Sequence, residues 1–268
     1  MPDTLIITHP GSAHFDEFFA ISLILSTHED QCFQVVRREP LEEELNNPQI
    51  WVVDVGNRHE PLLKNFDHHQ DLETPASFRI VAEHLGLSET LSLLPWWDYK
   101  DKIDRFGPIR VGAEMGARNL SITYSPFEEW YLDFFAETPS DSLPLMKAFG
   151  QSMVTSAERL LSGINYWKNA ERLQVKQKVC LLGRINDLTG AEEYLTRLGG
   201  PPYSITISHD RRGEGWTLKR YHEDPDINFA RLKNHPDVKF THPGGFIAKT
   251  ITRLPIETLK ELIATSVV

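Results

Sequence analysis

Short apolar runs broken by polar turns open the chain, and they set its expected elements. Residues 5–8 form an apolar run that stops at His9-Pro10-Gly11, a strand followed by a turn. Residues 15–25 are apolar nearly all round, which is the pattern of a buried helix. Residues 32–37 and 50–55 read as two more strands. The second, Ile-Trp-Val-Val-Asp-Val, shows no alternation and fits a parallel strand covered on both faces. Residues 76–85 have a helical pattern. The order strand, helix, strand, strand, helix predicts an α/β domain with a mainly parallel sheet.

Further along, Ser140-Asp141-Ser142-Leu143-Pro144 is a helix-start signal, a polar cap followed by an early proline. Met146, Phe149, Met153, Ala157, Leu160, Ile164 and Trp167 then recur at steps of 3, 4, 4, 3, 4 and 3. That spacing draws one apolar stripe along about six helical turns. The expected organisation is a domain over residues 1–145, a linker helix within 146–175 and a smaller α/β domain over 176–268. In the last part, strands are expected at residues 178–182, 203–207 and 215–221. A helix near 228–232, a strand at 238–241 leading into a glycine pair, and a last helix over 256–264 complete it.

The 268 residues are 40% hydrophobic and 25% charged, an ordinary globular composition with length for one large domain or two modest ones. Cys32 and Cys180 each lie in an apolar run and read as buried core residues. Two cysteines supply neither a disulfide framework nor a Cys-rich zinc site. No run of 18 apolar residues is present, so no membrane span is expected, and the first ten residues lack the features of a targeting peptide. A cytoplasmic protein is the default expectation.

The net charge of −10 argues against a protein that grips long nucleic acid through a basic surface. It is unevenly divided: residues 151–268 hold 17 basic and 13 acidic groups, net +4, which leaves −14 for residues 1–150. The candidate chemistry lies in the acidic part. His9, His14, Asp16 and Glu17 follow the first predicted strand, Asp54 lies inside the fully apolar one, and Asp67-His68-His69 follow Phe66. Asp101 and Asp104 come after Trp96-Trp97. The first three groups sit at carboxyl ends of predicted strands, the edge of a parallel sheet where ligands bind. Imidazoles and carboxylates together are the donor set for Mn²⁺, Fe²⁺, Co²⁺ or Zn²⁺. Several buried carboxylates without a cation would raise one another's pKa, a cost that two divalent ions remove. Two ions roughly 3.5–4 Å apart are a recurrent device for displacement at phosphorus. No Ser/His/Asp arrangement, Walker-type loop or G-x-G-x-x-G is present, which disfavours acyl transfer, NTPase and dinucleotide-redox chemistry.

These motifs resemble the DHH phosphoesterase superfamily, which includes RecJ-type nucleases, oligoribonucleases, cyclic-dinucleotide phosphodiesterases and family II pyrophosphatases. The closer resemblance is to the MYG family (melanocyte-proliferating-gene proteins). It rests on Thr8-His9-Pro10-Gly11-Ser12-Ala13-His14-Phe15-Asp16-Glu17, on Val-Val-Asp-Val-Gly at 52–56 and on Phe-Asp-His-His-Gln at 66–70. Asp101-Lys102-Ile103-Asp104 and His242-Pro243-Gly244-Gly245-Phe246-Ile247 are weaker matches in the right order. The resemblance implies a DHH-type domain with a mainly parallel sheet, a linker helix and a smaller C-terminal α/β domain. It implies one metal held by His9, His14 and Asp54, and a second held by Asp16, Asp54, His68 and Asp101, with Asp54 bridging. It places His69 at the substrate phosphate and Asp67 behind a histidine, and it leaves Asp104 as an outer residue or a substitute for Asp101. Glu17 is left open between helix-dipole complementation and a functional role. Where His14 stands many superfamily members have Asp, so the site charge falls by one and softer metals than Mg²⁺ are favoured. Phe246 replaces the histidine of the superfamily's C-terminal glycine motif.

For the basic part, the expectation is that His242, Gly244, Gly245, Lys249 and Arg253 hold the substrate, the glycine pair offering backbone N–H groups to an anion. Arg211-Arg212 is expected in a hairpin turn. The active site is expected in the cleft between the two halves. His28, His59, His84, His209, His222 and His235 read as surface residues, and Trp96-Trp97 as core packing with base stacking as the other reading. The resulting expectation is a two-metal, Mn²⁺-dependent phosphodiesterase acting on short RNA, DNA or nucleotides, with the 3′–5′ exonuclease activity that the MYG resemblance implies. A pyrophosphatase or small-nucleotide phosphatase is the nearest alternative, and a nucleotide-sensing metal protein without turnover is another. A homodimer stays open.

Overall fold

Strand β1 (Thr4–Thr8) buries Ile6, Ile7 and Thr8 completely, and the first sheet is ordered around it. The computed structural model describes residues 3–116, 125–196, 203–221 and 223–268. His222 lies outside these described residues. β1 pairs in parallel with β2 (Phe33–Arg37) on one side and β3 (Trp51–Val53) on the other. β3 pairs in parallel with β5 (Asn65–Phe66), and the two-residue β4 (His59–Glu60) closes the edge antiparallel to β5. The order is β2-β1-β3-β5-β4, a mainly parallel sheet in a mixed α/β chain, as the apolar runs require. The short antiparallel β4 and the 3-10 turn at Pro61–Leu63 are too brief to leave a periodic signal.

Helix α1 (Phe15–Thr27) is buried from Asp16 to Ser26, because the sheet, α3 (Ser77–His84) and the aromatic side chains of later helices enclose it on every side. The remaining helices of this part are α2 (Glu42–Leu45), α4 (Ser88–Leu91), α5 (Trp97–Phe106), α6 (Pro108–Glu114) and α7 (Pro126–Glu137). Trp96 and Trp97 pack against Phe78, and Trp96 also meets Phe15 and Phe19, so the pair belongs to the core. Cys180 is buried, but Cys32 is exposed: pairing with β1 begins at Phe33, which leaves Cys32 in the turn before the strand.

Helix α8 (Pro139–Lys168) begins before the predicted cap, with Pro139 first and Pro144 inside the helix. The chain divides into two compact units, Met1–Glu158 and Arg159–Val268, so the boundary falls within α8. Met146 and Ala157 join the first unit's core, while Trp167 packs on Gly183 in the second. The second unit has a six-stranded sheet of order β10-β11-β9-β8-β7-β6. Its strands are β6 (Glu171–Val175), β7 (Lys178–Leu182), β8 (Tyr203–His209), β9 (Trp216–Arg220), β10 (Val238–Thr241) and β11 (Ile247–Thr250). Only β7 and β8 are parallel neighbours. With α9 (Ala191–Thr196) and α10 (Ile256–Ser266) it encloses a core around Ile205, Leu218, Phe229 and Ile263. The helix expected near 228–232 is a single 3-10 turn, Phe229–Leu232. No described helix is long and apolar enough to cross a membrane.

One glycine sets the approach of α8 to α1. A Cβ on Gly150 would lie 2.2 Å from the Ser22 carbonyl oxygen, so the two backbones touch there. Gly150→Ala is expected to lower stability by about 1–3 kcal/mol despite alanine's better helix propensity. Denaturant unfolding checks it, and an unchanged or raised midpoint would contradict the contact.

Candidate metal centre

The carboxyl ends of β1, β3 and β5 lie at one edge of the parallel sheet, and each delivers part of the cluster. After β1 comes His9. Its Nδ1 lies 2.9 Å from the Pro10 carbonyl oxygen. A carbonyl only accepts, so Nδ1 carries a proton and Nε2 is the nitrogen able to ligate once its own proton is displaced. After β3 comes Asp54, with φ +58°, in the left-handed region that Asp tolerates better than most residues. Its N–H donates to the Phe66 carbonyl at 2.8 Å, which holds that unusual backbone in place. After β5 come Asp67, His68 and His69.

Asp54 is the point of convergence. Its Oδ2 lies 3.7 Å from His9 Nε2, and its Oδ1 lies 3.5 Å from His68 Nε2 and 3.8 Å from His69 Nδ1. Ser77 Oγ donates to the same Oδ1 at 3.0 Å. His68 Nε2 faces carboxylates from three elements: Asp104 at 2.8 Å, Asp16 at 3.4 Å and Asp54. Ligand atoms within 4.8 Å of one another form three groups among the described residues: His9, His14, Glu17 and Asp54; Asp54, His68 and His69; Asp16, His68 and Asp104. A cavity of about 430 Å³ opens on them, lined by His14, Asp16, Asp54, His69, Lys100 and Asp104 among others.

Each buried acid can be asked what offsets its charge. Asp16 accepts from the N–H groups of Ser77 (2.7 Å) and Phe78 (2.5 Å) at the start of α3. Glu17 accepts from the His14 N–H through both oxygens at 2.9 Å and pairs with Arg37 at 3.2 Å. Asp67 accepts from the N–H groups of Asn57 (2.6 Å) and His69 (3.0 Å) and lies 2.6 Å from His69 Nδ1. Asp54 has one hydroxyl and otherwise only imidazoles. Burial opposes its ionisation, yet His68, His69 and His9 hold its carboxyl below the usual range. Burial, with Asp54 and Asp104 nearby, pushes the Asp16 carboxyl well up.

The histidines answer in the same terms. Burial disfavours the imidazoliums, but the facing Glu17 raises His9 to about 9, and Asp104 with Asp54 raises His68 to about 11. His69 is raised by Asp67. The buried Nε2 atoms of His9 and His68 nevertheless have no partner in hydrogen-bond geometry. Imidazole nitrogens and carboxylates crowded together in this way suit a divalent cation that displaces the imidazole protons, and the N/O set suits a first-row metal.

Two expectations fit the structure poorly. Asp101 was expected as a ligand, but it belongs to none of the three groups. Its buried carboxylate accepts from the Ala76 N–H at 2.9 Å and pairs with Arg105 at 2.6 Å and Arg79 at 3.3 Å. Asp104, three residues on along α5, faces His68 instead. The glycine pair was expected to offer N–H groups to an anion. In the β10–β11 turn Gly244 N–H donates to His242 Nδ1 at 3.0 Å and Gly245 N–H to the His242 carbonyl at 2.8 Å. Both donors are therefore spent within the turn. Lys249 pairs with the buried Asp210 at 2.6 Å and lines a polar cavity in the second unit, whereas His242, Gly244, Gly245 and Arg253 do not line it.

Three contributors carried no sequence signal of their own. Arg37, at the end of β2, ties Glu17 to the carbonyls of Gly11 and Ser12 at 3.1 Å, so it anchors the His9–His14 loop. A charge closing an apolar strand was the only hint. Ser77 and Lys100 are ordinary residues in ordinary helices until the fold places them here.

Residues 5–79 match the family model MYG1_exonuc, described as Uncharacterised protein family (UPF0160). The matched segment contains β3, β5 and all of β1 but Thr4, with every residue of the three groups except Asp104. The match covers the three motifs on which the MYG resemblance chiefly rests, at residues 8–17, 52–56 and 66–70. No curated protein matches the chain. Among solved structures, the pGpG-specific phosphodiesterase PggH from Vibrio cholerae is similar at 10% identity and TM-score 0.33, covering 98% of this chain and 100% of that one. An uncharacterized protein from Helicobacter pylori is similar at 12% identity and TM-score 0.27, covering 97% and 98%. RecJ in complex with Mn²⁺ from Thermus thermophilus is similar at 12% identity and TM-score 0.29; 97% of this chain aligns with 51% of that one, about half its length. At such TM-scores, conclusions about the site rest on this chain's own residues.

Two predictions test this candidate site. With imidazole pKa values raised to about 9 and 11, His9 and His68 are protonated at neutral pH until a cation displaces those protons. Mn²⁺ binding is expected to release protons and to strengthen as pH rises from 6 toward 9. Calorimetry in buffers of different ionisation enthalpy reads this directly, and identical heats in all buffers would contradict it. Second, Asp104→Asn is expected to weaken Mn²⁺ binding about tenfold or more. Asp101→Asn is expected to leave affinity nearly intact but to cost about 3 kcal/mol of stability by stranding its arginines. The reverse pattern would return Asp101 to the ligand set.

Proposed function

We propose that this chain is a divalent-metal-dependent phosphohydrolase that cleaves phosphodiester bonds of short oligonucleotides or nucleotides by a two-metal mechanism, acting as a 3′–5′ exonuclease with Mn²⁺. The observation that carries this reading is Asp54, whose two oxygens face different groups of ligands, His9 on one side and His68 with His69 on the other. His9, His14, Glu17 and Asp54 would hold one cation; Asp16, His68 and Asp104 would hold the other. Bound cations of this kind supply Lewis-acid polarisation of a phosphoryl oxygen and lower the pKa of a water.

The chain's own residues supply position and protons. Arg37 and Glu17 fix the His9–His14 loop, and the Pro10 carbonyl fixes the tautomer of His9. Asp67 holds His69 through Nδ1, which keeps the other ring nitrogen available to a phosphate oxygen. Asp67 also raises the pKa of His69, which favours a protonated ring able to donate to the leaving oxygen. His69 is 57% exposed, unlike buried His68, which suits contact with substrate rather than structural confinement. The acidic excess of residues 1–150 is in part the ligand set, so it does not oppose a phosphorylated substrate. It does oppose travel along a long duplex.

Labelled short RNA with Mn²⁺ is the direct assay. Asp54→Asn and His68→Ala are each expected to lower the hydrolysis rate by ~100-fold or more. Full activity in both variants would remove the proposal. Phosphate release from pyrophosphate without oligonucleotide cleavage would transfer it to the phosphatase alternative.

A further inference from the structure

A second cavity, about 440 Å³, lies beside the metal-side cavity in the first unit. It is lined by Phe15, Phe18, Phe127, Tyr131, Leu145 and Phe149, with Ser125 and Glu128 as polar contributors. Phe15, Glu128 and Leu132 line both cavities. The reason is local: α1 presents Phe15 to both, Asp16 to the ligand groups and Phe18 to the aromatic side, within one helical turn. The two cavities therefore share the wall made by Phe15, Glu128 and Leu132.

The wall between them carries a cation. Lys100 lines the metal-side cavity, sits over the Phe15 ring at 4.3 Å from its centroid and pairs with Glu128. On the far side the rings are held rather than loose. Tyr131 donates its hydroxyl to the Ser142 carbonyl at 3.0 Å and meets Phe18 edge-on at 5.3 Å. Phe127 lies parallel to Tyr131, with a 3° interplanar angle, yet remains 67% exposed. Rigid aromatic walls with an exposed ring at the mouth suit a flat aromatic ligand, and a nucleobase stacks on such rings whatever its sequence identity. The volume lies in the range of small-molecule sites.

We infer that this aromatic cavity is the nucleobase subsite for a nucleotide whose phosphate lies at the metal-side cavity, with Lys100 at the junction. The inference rests on the proposed phosphohydrolase reading and deepens it: the substrate class is a nucleoside phosphate, and inorganic pyrophosphate would leave the subsite empty. Glu128 and Ser125 are then the polar groups within reach of the base edge.

The test compares AMP with ribose 5-phosphate, which share phosphate and ribose and differ by the base, using calorimetric titration of the full chain in Mn²⁺. AMP is expected to bind at least tenfold more tightly. Leu145, 49% exposed, tolerates change without a core penalty. Leu145→Trp, which fills the cavity, is expected to erase the AMP advantage, while the volume-conserving Leu145→Met keeps it. Equal affinity of the parent for the two ligands overturns the inference, as does an AMP advantage that survives Leu145→Trp. These outcomes are independent of the Asp54→Asn assay: loss of the base preference leaves metal-dependent hydrolysis standing, and absent hydrolysis leaves the binding comparison readable.

Discussion

Asp16, Glu17, Asp54, Asp67 and Asp101 are all buried in the first unit, and the cost of removing five carboxylates from water governs the arrangement around them. Four are met by fixed donors. The first turn of α3 serves Asp16, Arg37 serves Glu17, the backbone at Asn57 and His69 serves Asp67, and Arg79 with Arg105 serves Asp101. Asp54 has the Ser77 hydroxyl and otherwise faces imidazoles, side chains that could also hold a metal ion. The ligand groups form where the protein leaves the electrostatic account open to a cation.

This constraint explains local features that otherwise look costly. The left-handed backbone at Asp54 turns its carboxylate toward the edge shared by β1, β3 and β5, and the bond from its N–H to Phe66 secures that turn. The close contact between α1 and α8 at Gly150 belongs to the same design. α1 carries Asp16 and Glu17 at its start, so its position against the sheet must be exact, and packing on every face supplies that rigidity. Aromatic residues from α1 and α7 then form a second cavity directly beside the first, so one helix serves the ligand groups and the apolar wall together.

Much of this was legible in the residues. The fully apolar runs around Ile6 and Val52, and the all-round apolar helix from Phe15, specify buried parallel strands and a central helix by composition alone. The stripe from Met146 to Trp167 specifies α8. Helices α5 to α7 were not legible, because each buries only a short or broken stripe: Trp97 and Asp101 in the charge-rich α5, Val111 and Gly112 in α6, Tyr131 and Phe135 in α7. The second sheet was visible as strands but not as a mainly antiparallel array, since pairing partners are chosen by chain reversals that leave no periodicity.

The sequence by itself determined the chemistry on offer: imidazoles and carboxylates after successive apolar strands, in an acidic half of the chain. Tertiary structure decided which of them meet. Asp101 and Asp104 are alike in type and share a helix face, yet two arginines close on one and His68 on the other, and nothing in their spacing distinguishes them. Gly244 and Gly245 permit a tight turn, but where their N–H groups point was settled by His242. Residue type sets what an atom can bind. Which partner it finds depends on contacts between segments far apart in the chain, and those exist only once the core has packed.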